Sequence, residues 1–134
     1  MLHAKHITLT KGKTEAQATD TKITVNKGVI ARVWVHFPPG CAGLVKVRIY
    51  HQRHPFLPVD EGAHIQGDAY TYEFPIMFEI KQPPEIITIR AWNTDAVYDH
   101  TIDVSFLIIP KMWIQPVGAY EGIIAALKSI FERR

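Results

Sequence analysis

Gly28 to Tyr50, GVIARVWVHFPPGCAGLVKVRIY, decides the fold class. Val29, Ala31, Val33, Val35 and Phe37 fall on one face at period two and Ile30, Arg32, Trp34 and His36 on the other, the pattern of a half-buried strand. Pro38-Pro39-Gly40 ends the run, because proline cannot donate to a sheet ladder and glycine permits the reversal. Beyond it Val45, Val47 and Ile49 point one way and Lys46, Arg48 and Tyr50 the other, so the stretch predicts a hairpin of two strands around PPGCAG.

The alternation recurs further along the chain. Ile87, Ile89 and Ala91 oppose Thr88, Arg90 and Trp92, and Ile102, Val104, Phe106 and Ile108 oppose Asp103, Ser105 and Leu107. Shorter strands are predicted at Ile7–Thr10 and Lys22–Val25, the second followed by the turn chemistry of Asn26-Lys27-Gly28. Tyr70–Glu73 and Ile76–Ile80 form either one strand interrupted at Pro75 or two short ones, and Pro75 favours a sheet edge or a bulge. Roughly seven or eight short strands separated by turns predict a mainly β fold, an antiparallel β-sandwich of jelly-roll or immunoglobulin-like topology. Its expected extent is residues 21–110, with 1–20 an N-terminal arm or edge strand and 111–134 a linker and C-terminal amphipathic α-helix. The intervening segment His51–Ala69 has lost periodicity and is predicted to be the longest loop, where binding residues tend to sit.

After Pro110 the period changes. Tyr120, Ile123, Ile124, Leu127, Ile130 and Phe131 follow helical spacing, with Glu121 near the start and Lys128, Arg133 and Arg134 near the end, as the helix dipole favours. A helix of about three to four turns is marginal alone and needs a surface for its apolar stripe. Its own sandwich, a neighbouring subunit and a membrane are the three options, and the lack of a lysine-rich polar face argues against the membrane. Trp113 and Pro116 lie in the linker, which could carry the helix to a partner.

Composition narrows the function classes. The chain has 134 residues, 47% hydrophobic and 21% charged, which suits one globular core. A net charge of +2 is too small to imply a nucleic-acid binder. Cys41 is the single cysteine, so an internal disulfide is excluded, and its turn supplies no base to activate the thiol. MLHAKHITLT lacks the apolar region of a signal peptide and no apolar run spans a bilayer, so synthesis in a cytoplasm is expected.

Catalytic patterns are sparse. His51, His54 and His64, with Asp60 and Glu61 between them, are the one dense group of potential zinc ligands, but His-x-x-His outside a helix imposes no ligand geometry. There is no G-x-S-x-G elbow and no glycine-rich phosphate loop, and Asp60, Glu61, Asp68 and Glu73 are a carboxylate set that any acidic loop supplies. No enzyme, cofactor or metal is expected. Outward aromatics carry the better binding hypothesis: Trp34 and Trp92, with Tyr70 or Tyr72, are suited to stacking on sugars or anchoring a protein interface. Arg32, Lys46, Arg48 and Arg90 make one basic patch if their strands are neighbours.

RVWVHFPPGCAGLVKVRIY, DAYTYEFP and TIRAWNTDAVYDHTIDVSF together resemble small uncharacterised β-sandwich proteins of tailed-virus and prophage structural gene modules. The resemblance extends over residues 21–110 and rests on strand-and-turn wording, with no active-site motif. It implies a virion part made in the host cytoplasm: a capsid decoration or cement protein, or a head–tail accessory. The implied partner is the major capsid or another virion protein, and the implied state a homo-oligomer, with a trimer plausible. The terminal arm and helix suit a subunit that bridges neighbours. Interface candidates are then Arg32, Trp34, Trp92, Trp113, Tyr120, Ile123, Ile124, Leu127 and Phe131. A carbohydrate- or receptor-binding module using Trp34, Trp92 and the 51–69 segment is the alternative.

Overall fold

The computed structural model describes residues 1–113. Its strands are β1 (Leu2–Leu9), β2 (Thr19–Val25), β3 (Val29–Phe37), β4 (Val45–His51), β5 (His54–Leu57), β6 (Tyr70–Glu79), β7 (Glu85–Asn93) and β8 (His100–Ile109). They form two antiparallel four-stranded sheets, β1-β8-β3-β6 and β2-β7-β4-β5. The pairs nest: β1 with β8, β2 with β7, β3 with β6 and β4 with β5. Pairing of β8 with β3 and of β7 with β4 joins them into the two sheets. The expected C-terminal helix, with Tyr120, Ile123, Ile124, Leu127 and Phe131, lies outside the described residues.

One buried cluster draws on both sheets. Leu9, Ile30, Val33, Val35, Phe37, Ile102, Val104 and Phe106 come from the first, and Ile23, Val45, Val47, Ile49, Ile87 and Ile89 from the second. Each such side chain contributes roughly 1.5–3 kcal/mol when removed from water.

Two local expectations are corrected. The runs around PPGCAG do not pair as a hairpin: β3 and β4 belong to different sheets, and the turn carries the chain from one to the other. Periodicity identifies both strands and their apolar faces but is silent on pairing, and here both faces line the shared core. The corner is fixed by Asp68, whose Oδ1 accepts from the Gly40 and Ala42 N–H groups at 2.8 and 3.1 Å. The second correction concerns Ile30, placed outward by alternation but wholly buried in the core. A register shift between Ile30 and Arg32 sets one extra residue of β3 against β8 and one extra residue of β6 against β3, so the inward set of β3 becomes Ile30, Val33, Val35 and Phe37.

Of the two readings of the N-terminal segment, Leu2–Leu9 takes the edge-strand one, and it is longer than Ile7–Thr10 because Leu2–His6 also pairs with β8, a pairing that needs no apolar alternation. β6 is one strand of ten residues on the opposite edge, with Pro75 opposite the irregularity at Arg32. The 51–69 segment is not all loop: β5 folds back on β4 through the Gln52–Arg53 turn.

Candidate functional site

The two outer sheet faces hold most of the sequence-selected side chains, and they differ in kind. On the first sheet Trp34 is half-buried, in register with Ser105 of β8 and Glu73 of β6, and Ala4 of β1 lies beyond Ser105. Ala4 and Ser105 are short, so the indole stands above its neighbours on that side. Arg32 donates to Glu73 from Nη1, which makes it half of a surface ion pair rather than a free cation. Such pairs contribute about 0.2–1 kcal/mol. The flanking row is also internally paired, His6 with Asp103 and His36 with Thr71 at 2.7 Å.

On the second sheet the segment after β5 pairs with the edge of β4 away from β7 through Val47 and Ile65, with N–H···O distances of 2.8 and 2.9 Å, and brings Asp60 and His64 against outward side chains. That placement overturns one expectation. Trp92 points outward from β7 but is only 6% exposed, its ring 5.9 Å from the His64 ring. It is a packing residue, not an exposed anchor. Arg48 is buried by the same segment, donating to the Asp60 carbonyl at 3.1 Å.

Register settles the basic patch in part. Arg48 faces Arg90 across β4 and β7, and Lys46 faces Trp92, so three of the four cations share one face, while Arg32 lies on the other sheet. Like charges this close need compensation. The Tyr50 ring, one outward position along β4, supplies it, with the Arg48 and Arg90 guanidinium carbons 5.4 and 5.0 Å from its centroid. Asp20 of β2 accepts from Arg90 Nε and Nη2 at 3.0 and 3.3 Å, and this hydrogen-bonded carboxylate pushes the Arg90 pKa up. The i, i+2 spacing of Arg48 and Tyr50 was visible in the sequence; the third member of the stack was not, because it depends on register.

The histidines do not converge. His51 Nε2 is 2.9 Å from the Glu85 carboxylate, at the end of a groove of about 410 Å³ lined also by Met77, Phe78 and Lys81. His64 reaches Gln66 at 3.1 Å, and His54 is exposed on β5. Among the described residues no group of three His, Cys, Asp or Glu side chains could hold a metal ion. The thiol of Cys41 is buried, and burial first, then Asp68 and Asp95, pushes its pKa up, the reverse of an activated nucleophile.

The connection from Asn93 to Asp99 holds the opposite end together. Buried Asn93 donates from Nδ2 to the Leu9 and Tyr98 carbonyls at 3.3 and 2.9 Å and accepts from the Asp95 N–H at 2.9 Å. Asp95 accepts from the Val97 N–H at 2.8 Å and sits 2.9 Å from His100 Nε2. The Val97 N–H, then His100, hold the Asp95 carboxyl below the usual carboxylate range. The folded state therefore takes up this proton at lower pH than the unfolded chain. The stability it contributes is complete above the ordinary aspartate pKa of about 3.9 and is lost as pH falls below it. Thermal melts from about pH 6 to pH 3 are expected to show a smaller acid-side drop for Asp95→Asn than for the wild type. Equal slopes would remove Asp95 from the linkage.

No protein-family model, curated protein or solved structure matches this chain.

Proposed function

We propose that this chain is a jelly-roll β-sandwich serving as a non-enzymatic virion structural subunit, a capsid decoration or cement protein or a head–tail accessory. The observation that carries the reading is the nested pairing of β1 with β8, β2 with β7, β3 with β6 and β4 with β5. That is the strand order obtained by rolling one long antiparallel ribbon over a core, the eight-stranded jelly roll that recurs in viral capsid and lectin domains. Fold alone does not fix function, so the surfaces must carry weight too. The half-buried Trp34 and the cationic second-sheet face are two broad, differently charged faces for neighbours, with Trp34 an anchor of the kind that dominates interfaces. A homo-oligomer, trimeric in the decoration case, and residence in the virion follow from this reading.

The test is decoration of particles. Capsids assembled from the major capsid protein of the genome that carries this chain are sedimented with the purified chain, and the lack of such a gene there also counts against the reading. Saturable, stoichiometric co-sedimentation is expected, and full recovery of the chain in the supernatant at every ratio sinks the proposal.

A carbohydrate-binding reading has Trp34 in its favour, since the indole is bordered by Arg32, His36 and Glu73, polar groups that could hold sugar hydroxyls. Glycan-array binding that disappears in Trp34→Ala would select it over the virion role.

A further inference from the structure

Across β2, β7 and β4 the second sheet carries a groove of about 290 Å³. Its floor follows from side-chain length. Lys22, Thr88 and Tyr50 occupy one register row, and the short Thr88, 9% exposed, leaves a depression between two long neighbours. Arg90 flanks the row on one side, Gln52 and Arg53 on the other.

The groove is built from donors. Gln52 sits at the head of the β4–β5 turn with φ +56, a conformation uncommon for a residue with a side chain. It is tied down twice: its N–H donates to the Ile86 carbonyl at 2.8 Å, and its Oε1 accepts from the Ile86 N–H at 3.2 Å. With the amide oxygen committed, the Gln52 amide NH₂ is what remains to offer a ligand. The single carboxylate of the groove, Asp20, is committed to Arg90. Among the described residues neither Lys22 nor Arg53 has an ion-pair partner. Lys22, Arg53 and Arg90 against Asp20 leave two uncompensated positive charges around a hydroxyl floor.

We propose that this groove binds acidic side chains of a protein partner, a pair of carboxylates from an Asp- or Glu-rich segment held by Lys22, Arg53, Gln52 and Thr88. Two observations select a carboxylate-bearing peptide over a sugar or a nucleic acid. Sugars and bases are gripped by an open aromatic face, and the one aromatic ring of the groove, Tyr50, stacks with the Arg48 and Arg90 guanidinium groups. The Asp20–Arg90 pair also shows a carboxylate already accommodated at the groove edge in two-point geometry. The inference rests on the protein-partner reading above and names the chemistry of the partner surface.

The experiment uses the full chain and fluorescein-labelled hexaglutamate as probe, with anisotropy for affinity and amide chemical shifts for location. Saturable binding is expected, with shifts confined to Lys22, Gln52, Arg53 and Thr88 and affinity falling as salt rises. Lys22→Gln/Arg53→Gln is expected to weaken it at least about tenfold, while Arg32→Gln, which removes the same kind of charge from the other sheet, leaves it unchanged. Both altered positions are exposed, and an unchanged melting curve verifies the fold. Equal binding by the double variant, equal loss in Arg32→Gln, or tighter binding of a sulfated disaccharide or oligothymidylate overturns the proposal. Particle co-sedimentation separates the two readings: a chain that decorates capsids but ignores hexaglutamate keeps its function and loses this groove, and the converse keeps the groove alone.

Discussion

Phe37→Ala is expected to lower the unfolding free energy by about 3–5 kcal/mol, a large share of the roughly 5–15 kcal/mol typical of a domain. Phe37 is the last residue of β3, 0% exposed, with the Tyr72 ring edge-on at 6.0 Å. It stands beneath the turn that carries the chain between the two sheets, and its Cδ2 is 3.3 Å from the position a Cβ would take on Gly67. Truncation therefore empties space bounded by β3, β6 and the loop before β6, all held by backbone hydrogen bonds that resist collapse into the void. The urea midpoint should fall with little change in slope, and the melting temperature should drop by about 10 °C or more. Val97→Ala is the reference: Val97 is 60% exposed, and its loss should stay within about 0.5 kcal/mol. A Phe37→Ala change no larger than that would mean the two sheets do not share the core described above.

How far the sequence foretold this molecule depends on where local pattern equals global placement. Val45, Val47 and Ile49, Ile87, Ile89 and Ala91, and Ile102, Val104 and Phe106 are buried as alternation requires, because each stretch is regular and one face meets the core. Ile30 failed because a single inserted residue reverses every face on its far side, and a bulge leaves no mark in a run of apolar residues. Trp92 failed for a different reason: what covers it is an aperiodic segment from elsewhere in the chain, and His64 gave no hint of its destination. β5 was hidden by its shortness and by Pro55 and Pro58. The proposed anion groove was the least legible feature, since it consists of Lys22, Thr88 and Tyr50 from three strands brought abreast by register. Sequence supplied the residue types, and pairing made them neighbours.

Gly28→Ala is expected to destabilise the protein by about 2–5 kcal/mol, from two separable causes. The first is conformational. Gly28 has φ +111, a region where a side chain collides with its own backbone. The second is close approach. A Cβ at this position would lie 2.7 Å from the Ile109 carbonyl oxygen and 3.0 Å from Ile108 Cγ2. The oxygen is backbone, so relief requires moving the end of β8, where Ile109 is in register with Val29 and Ile108 with Ile30. The Gly28 carbonyl also accepts from the Ile80 N–H at 2.9 Å, so shifting Gly28 instead disturbs the exit of β6. Gly62→Ala isolates the first cause: Gly62 has φ +77 but nothing within 4 Å of the added atom, so only the backbone penalty of about 1 kcal/mol applies. Urea melts of the two variants should differ by at least about 1 kcal/mol, Gly28→Ala being the weaker. Equal losses would show that the ends of β3 and β8 are not in the close approach that makes glycine necessary there.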